Sequence, residues 1–368
     1  MASKYVASKI FILLFATLNA CTNKNGNQIY TIPVDINSVN PFLLSEITTN
    51  IYPIKLECTE QSLININKIG RVLYDGNYIL LHIIKPQSIL LFDKNGHFLR
   101  QIGHHGEGPE EYGNITDITA DFQNKKVFVV SQRKLICYDF KGDFIMGREL
   151  QLASYPSCLS FIENKLYFIG RYYGNTSKDG IITGISSLYE INKDFQIIDS
   201  IEIKRTLNPK MMWAQHIYKE HITQFSNETY QYEFELNYEP SLRDTLFLLN
   251  GLQRIPHLRL DFHTNGVDNT GERTLYLFNV YRSSRYVFAI YGLATQNAYF
   301  RFCYDTYTQK GYVMKDGYID NVCHNNRIVD IHPLIENTNK FYYLTTDMEE
   351  ESDTDEPNPT LYIGTLKQ

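Results

Sequence analysis

The stretch Ile89-Leu90-Leu91-Phe92-Asp93-Lys94-Asn95-Gly96-His97-Phe98 decides the fold, because it returns as Leu135-Ile136-Cys137-Tyr138-Asp139-Phe140-Lys141-Gly142-Asp143-Phe144. Asp93 and Asp139 are 46 residues apart, and the aromatic before each, the Gly three after it and the Phe five after it keep register. An apolar strand, a polar turn ending in glycine and a second strand together spell a β-hairpin. A weaker third copy, Leu188-Tyr189-Glu190-Ile191-Asn192-Lys193-Asp194-Phe195, places Phe195 51 residues beyond Phe144. Hairpins recurring about every 40 to 50 residues have the period of β-propeller blades, each a four-stranded sheet.

Working outward from this hairpin, with strands labelled A (innermost) to D (outermost), the chain parses into an all-β, six-bladed β-propeller. Blade one runs from Ile66 to Ile102, with Tyr78–Ile84, Ser88–Phe92 and His97–Ile102 as strands B, C and D. Blade two comprises Ile115–Ala120, Lys126–Val130, Leu135–Asp139 and Asp143–Leu150. Blade three spans Ser157 to Ile203, blade four His221 to Phe262 and blade five Thr274 to Lys315. The last blade has room for three strands, near Arg327–His332, Phe341–Thr346 and Leu361–Leu366. An N-terminal strand, either Tyr30–Ile36 or Ile51–Glu57, supplies its fourth and removes the open sheet edges. The propeller thus occupies 66–368, with an insertion at about 204–222 whose segment Pro209 to His221 reads as the only helix.

Composition agrees. The 368 residues include 28 Tyr and 21 Phe but one Trp, and 43% are hydrophobic, which excludes a disordered chain and leans towards strands. Residues 1–20 read as a signal peptide: Lys4 and Lys9 precede the nine-residue apolar run Ile10 to Leu18, too short to span a bilayer as a helix. The run ends Leu18-Asn19-Ala20-Cys21, which resembles the lipobox of bacterial lipoproteins and implies acylation at Cys21, with 21–65 holding the tether and the closing strand. Loss of both lysines moves the net charge from −6 to −8. A net acidic body without a Lys/Arg cluster argues against nucleic acid as a partner. The remaining Cys58, Cys137, Cys158, Cys303 and Cys323 are odd in number and lack C-x-x-C spacing, so no zinc or redox motif is present and the fold rests on its core.

The loop Gly103-His104-His105-Gly106-Glu107-Gly108-Pro109-Glu110-Glu111-Tyr112 resembles the G-x-x-G-x-G-P-x-E-[YF] loop of the six-bladed β-propeller lipoproteins of Bacteroides-type bacteria, which are NHL-like in architecture. Ile54-Lys55-Leu56-Glu57, Asp244-Thr245-Leu246-Phe247 and Asn358-Pro359-Thr360-Leu361-Tyr362-Ile363 are similar to other parts of that family. Glu110 departs from it by standing where a second Gly is usual. The resemblance implies fold and an envelope location, and assigns no ligand.

In a propeller, the D-to-A and B-to-C connections emerge on one face. That face should carry the Gly103–Tyr112 loop, Ser131–Lys134, Tyr172–Ser186, Thr206–Glu220 and Asp347–Asn358, whereas Lys94–Gly96 and Lys141–Gly142 are tight turns on the other. Long loops on a rigid scaffold are where binding residues collect. The ligand-binding candidates are therefore His104, His105, Glu107, Tyr112, Arg133, Tyr172, Tyr173, Trp213 and His216. The two histidines with Glu107 form at most a metal site, since adjacent side chains diverge, and the glycines account for the loop as a turn. Trp213, His216, Tyr172 and Tyr173 form either an aromatic platform for a sugar or peptide or packing against the rim. The acidic run from Asp347 to Glu356 lacks the Gly-centred turn of a calcium loop. Arg282 and Arg285 flank a strand end.

No G-x-S-x-G, H-E-x-x-H or Walker A run occurs. Three functions remain open: a lipid-anchored, non-catalytic module capturing a glycan, peptide or envelope protein; a metal-dependent lyase or hydrolase at the channel mouth; and a structural component of an envelope complex. The first needs no cofactor and no metal. Thr22-Asn23-Lys24-Asn25-Gly26-Asn27 contains no acidic export run, which favours the periplasmic side of the outer membrane over the cell surface.

Overall fold

An aspartate or asparagine side chain that accepts from backbone N–H groups two and four residues on will reverse a chain tightly. Asp93 Oδ1 accepts from Asn95 N and His97 N, Asp139 Oδ1 from Lys141 N and Asp143 N, and Asn192 Oδ1 from Asp194 N and Gln196 N. The recurring hairpin of the sequence is therefore one physical turn used three times. The third copy is shifted by two from its sequence alignment: Phe195 takes the left-handed position (φ +58°) that Gly96 and Gly142 (both φ +87°) hold, and Ile197 stands where Phe98 and Phe144 stand. Phe195 tolerates that backbone because its ring is buried against Phe128.

The computed structural model describes residues 29–176, 179–208, 220–234, 239–323, 326–346 and 358–368, and within them the protein is a six-bladed β-propeller. Two N-terminal strands come first, β1 (Tyr30–Pro33) and β2 (Thr48–Lys55). Blade one is β3 (Ile69–Tyr74), β4 (Tyr78–Ile84), β5 (Gln87–Asp93) and β6 (Phe98–Gln101). Blade two is β7 (Ile115–Asp121), β8 (Lys126–Ser131), β9 (Lys134–Asp139) and β10 (Phe144–Glu149). Blade three is β11 (Tyr155–Ile162), β12 (Lys165–Thr176), β13 (Ile182–Ile191) and β14 (Ile197–Asn208). Blade four is β15 (Ile222–Phe225), β16 (Glu228–Gln231), β17 (Thr245–Asn250) and β18 (Gln253–Asp261), and blade five is β19 (Leu275–Arg282), β20 (Tyr286–Leu293), β21 (Ala298–Asp305) and β22 (Lys310–Lys315). After the small hairpin β23 (Tyr318–Asp320) and β24 (Arg327–Val329), blade six is β25 (His332–Pro333), β26 (Lys340–Thr345) and β27 (Thr360–Leu366), closed by β2.

Of the two candidates for closure, β2 is the one used: it pairs antiparallel with β27 from Thr48↔Leu366 to Lys55↔Thr360. Asn358 secures the junction, its Oδ1 accepting from Ile64 N and its Nδ2 donating to the carbonyls of Glu57 and Ser62. The other candidate, β1, instead pairs in parallel with β18 as a fifth strand of blade four. Between them, residues 34–47 cross blade five, with Asn40 N donating to Val313 O and Ile319 N to Phe42 O. Residues 29–55 thus strap the outer rims of three blades and bury Ile32, Val34, Phe42, Leu44 and Ile47.

Two further expectations are corrected. The inner strand of blade six is His332–Pro333 rather than Arg327–His332, because Arg327–Val329 pairs with Tyr318–Asp320 around the buried carboxylate of Asp320, which accepts from Val322 N, Cys323 N and the Tyr343 hydroxyl. The insertion does not begin at 204, since β14 runs to Asn208 and pairs Lys204 with Ser186. The expected helix from Pro209 lies mostly outside the described residues, and its last two positions, Glu220 and His221, are buried and not helical. Cys58, Cys137, Cys158, Cys303 and Cys323 are free thiols.

Neighbouring blades are stapled by one recurring contact, in which the outer strand of a blade reaches the C–D turn of the next. Glu57 N donates to Gly96 O, Arg100 Nη1 to Lys141 O and Arg148 Nη1 to Asp194 O. Aromatic pairs fill the blades, Phe92 on Phe98 (5.5 Å between centroids) and Tyr138 on Phe144 (6.2 Å).

Candidate functional site

The connection from β6 to β7 lies on the long-loop face beside the B–C turn of blade two. Its glycines are there for space: a Cβ on Gly106 would lie 1.9 Å from the Glu111 carboxylate, which instead accepts from Gly108 N at 2.9 Å. The loop closes on itself through Gly106 N to Tyr112 O and Tyr112 N to His104 O. Lys134 Nζ then donates to three of its carbonyls, Gly108, Pro109 and Glu111, and the Tyr138 hydroxyl donates to Glu110 O. Glu110, the departure from the family pattern, enters this clamp through its backbone, which any residue supplies.

Between the clamped loop and blade two lies an open cleft of about 580 Å³, lined among others by Gly106, Glu107, Glu111, Gln132, Arg148 and Glu149. Its two cations are already engaged, Lys134 by loop carbonyls and Arg148 by Asp194 O. The carboxylates of Glu107 and Glu149 and the amide of Gln132 are exposed. The cleft therefore offers mainly acceptors, on a backbone frame held rigid from below.

Of the sequence-derived candidates, Glu107 lines this cleft and Arg133 adjoins it, its guanidinium 4.6 Å from the exposed ring of Tyr155 and donating to Ala153 O. His104 and His105 are exposed on the same loop outside the lining. Tyr112 is fully buried: its ring packs edge-on to Tyr138, it accepts from Gln101 Nε2, and burial pushes its hydroxyl up to about 12. It is a core residue of the loop. Tyr172 and Tyr173 are outside the cleft lining and, contrary to the loop expected over Tyr172–Ser186, lie in β12 paired with Ile185 and Gly184 of β13, Tyr172 half-buried and Tyr173 40% exposed. Trp213, His216 and Cys21 lie outside the described residues. Among the described residues no group of three or more His, Cys, Asp and Glu could hold a metal.

Sequence reasoning placed the Ser131–Lys134 turn on this face but took only Arg133 from it as a candidate, and it missed the β10 residues that complete the cleft. It also missed the charges inside the ring. Arg71 and Asp117, 46 residues apart like the two turn aspartates, each follow a bulge on an inner strand and meet in the channel at 3.0 Å, both essentially unexposed. A bulge re-aims a side chain, and here two equivalent bulges aim opposite charges at one another. Asp117 also accepts from Leu159 N, joining three blades at one carboxylate. A second buried network ties Arg171 and Lys204 of blade three to Glu233 and Glu239 of blade four, with Arg171 held bidentately by Glu233. Despite burial, the Arg171 and Lys204 charges hold the Glu233 carboxyl well below the usual range. In both networks each charge stands against an opposite one, and both read as scaffold that fixes blade positions.

Comparison with known proteins supports the architecture. A crystal structure of a Bacteroides fragilis protein described as exported is similar over 92% of this chain and 99% of its own, at 16% identity and a TM-score of 0.62, a likeness of fold alone. A Bacteroides vulgatus member of the DUF4221 family covers 87% of this chain and 97% of its own at 12% identity, with a TM-score of 0.43. No curated protein sequence matches. A family model described as a domain of unknown function matches residues 29–362, from the start of the strap to the last closing strand, and the chain belongs to that family, DUF4934.

Proposed function

We propose that this propeller is a lipid-anchored, non-catalytic binding module of the cell envelope, which captures a glycan or peptide in the cleft between the Gly106–Gly113 loop and blade two. The observation that carries this reading is the cleft's construction. Its frame is preorganised by Lys134 and Tyr138, so little ordering cost falls on binding, and the polar groups it leaves open are mainly acceptors, the Glu107 and Glu149 carboxylates, suited to sugar hydroxyls or peptide N–H groups, with the Gln132 amide able to donate as well. The signal peptide, Cys21 and a similar protein described as exported support an envelope location, and the tether Thr22 to Asn27, which has no acidic run, favours the periplasmic side of the outer membrane.

Glycan and peptide arrays identify the ligand class. Against the best ligand found, Glu107→Gln with Glu149→Gln should weaken binding about tenfold, the equivalent of roughly 1.4 kcal/mol, without changing the melting temperature. Undiminished affinity would remove the cleft from consideration. Cys21→Ser should release the protein from the membrane fraction, and protease treatment of intact cells should leave it undigested.

A further inference from the structure

The strap that laces three blades also fixes where the chain enters the propeller. From Tyr30 onward the backbone is bonded to the rim: β1 lies along β18, Val34 N donates to Asp261 O, Asn40 N to Val313 O, and Lys367 N to Ile47 O, before β2 closes the ring. Entry is therefore at the outer seam of blades four and five. There the Tyr30 hydroxyl meets that of Tyr304 at 3.0 Å, one residue before the C–D turn of blade five. β1 runs parallel to β18, which leads from its C–D turn at Gln253 to its D–A end at Asp261, and Tyr30 is level with Leu258, so the chain joins the rim at mid-strand, coming from the side opposite the long-loop face.

Resting on the lipoprotein reading of Cys21, we propose that the strap sets how the propeller rides on a lipid surface: the blade-four and blade-five rim carrying Tyr30 and Tyr307 faces the headgroups, and the long-loop face is turned away from them. Eight residues, Thr22 to Ile29, separate the acylated cysteine from the strap. Fully extended they reach roughly 29 Å, whereas a compact chain of this size is about 50 Å across. The tether is shorter than the molecule, so the entry rim stays near the bilayer.

The chemistry of that rim fits the position. Tyr307 is 69% exposed and Tyr30 46%, and tyrosine is the ring that settles at the headgroup level with its hydroxyl in water. The Arg285 guanidinium lies 5.0 Å from the Tyr307 ring and is neutralised by the Asp305 carboxylate, and Lys310, exposed at the end of the same turn, is the cation placed to meet phosphate headgroups.

The single Trp213 makes a test. It lies in the segment between β14 and β15, whose flanking strand ends are on the long-loop face. Full-length acylated protein is incorporated into phosphatidylethanolamine/phosphatidylglycerol vesicles whose acyl chains are brominated near the headgroup. Trp213 should keep its emission, whereas Tyr307→Trp in a Trp213→Phe background should lose about half, as an interfacial indole would. If Trp213→Phe lowers the melting temperature, Tyr307→Trp is read in the otherwise native chain as an added quenchable component. Quenching of Trp213 but not of position 307 would invert the orientation and overturn the proposal. Neither being quenched while the protein sediments with vesicles would overturn the fixed orientation and leave the anchor intact. If Cys21→Ser and native protein sediment equally poorly, the anchor reading fails and the orientation falls with it.

Discussion

Asp117 ties together the inner strands of blades one, two and three. Its two oxygens accept from Arg71 Nη1, Ile118 N and Leu159 N, and all of these groups are shut away from water. Removing one partner of such a pair leaves a charge that neither solvent nor protein balances, which costs about 3–5 kcal/mol. Asp117→Ala should therefore lower the urea-unfolding free energy by about that much, while Arg71→Met with Asp117→Leu should cost clearly less; equal losses would show that the pair itself supplies the stability. Glu336, in the turn between β25 and β26, behaves oppositely. Burial pushes its carboxyl up to about 7, the charges of Asp75 and Asp121 add to that and Arg71 opposes it, while its Oε1 has no hydrogen-bond partner among the described residues. Because the folded pKa exceeds the unfolded value of 4.5, the native state binds more protons between the two, and stability falls as pH rises from about 4.5 to about 7. The loss is on the order of 3 kcal/mol. Melting curves across that range should show the decline in native protein and a flatter profile in Glu336→Gln; parallel profiles would mean that Glu336 is hydrated.

At the scale of the element, the C–D turns show what the sequence carried and what it concealed. The Asp93 and Asp139 hairpins were legible because one side chain and one glycine define the turn locally. The third copy was misaligned because Phe195 holds the left-handed position, and a bulky residue there gives no turn signal. Blade six was misread because Arg327–Val329 has strand composition, while its partner is decided by the buried carboxylate of Asp320, a tertiary fact. The cleft was half legible for a similar reason: its loop announces itself by glycines, whereas Lys134 and Arg148 look like ordinary exposed strand cations until the loop carbonyls and Asp194 are placed beside them. Phe195 also shows that positive φ alone does not require glycine at this turn. What does require it at Gly96 is proximity, since a Cβ there would lie 2.1 Å from Lys55 O, whereas at Gly142 the nearest atom, Gln101 O, is 3.1 Å away. Both substitutions incur the left-handed penalty of about 1–2 kcal/mol, and Gly96→Ala must additionally push blade one away from the closing strand. Gly96→Ala should thus destabilise more than Gly142→Ala in chemical denaturation, and an equal effect would place the cost wholly in the backbone.

For the whole molecule, ring closure and strapping are separate jobs done by one continuous segment. An N-terminal closing strand was foreseeable because blade six lacks a strand and both candidates alternate in polarity. The choice between them was not, since a parallel strand added to a blade's outer edge leaves no local mark in Tyr30–Pro33. The two jobs predict different outcomes on truncation. A chain beginning at Asn40 loses β1 with the buried Ile32 and Val34, worth about 3–6 kcal/mol of burial, but recovers the entropy of the ordered residues it no longer has to fix. It should remain a folded monomer that melts earlier. A chain beginning at Leu56 loses β2, which leaves β27 as an open edge in the last blade and breaks the Thr48↔Leu366 to Lys55↔Thr360 ladder that joins the two ends. Open edges pair with other chains, so this protein should elute as aggregate and show no cooperative melt. A synthetic peptide of residues 47–55 added during refolding should restore the monomer, because it supplies the missing strand, while Glu57, whose N donates to Gly96 O and whose carboxylate accepts from Phe98 N of blade one, is still in the chain. A stable monomer without that peptide would mean that blade packing alone holds the ring and that β2 merely covers it.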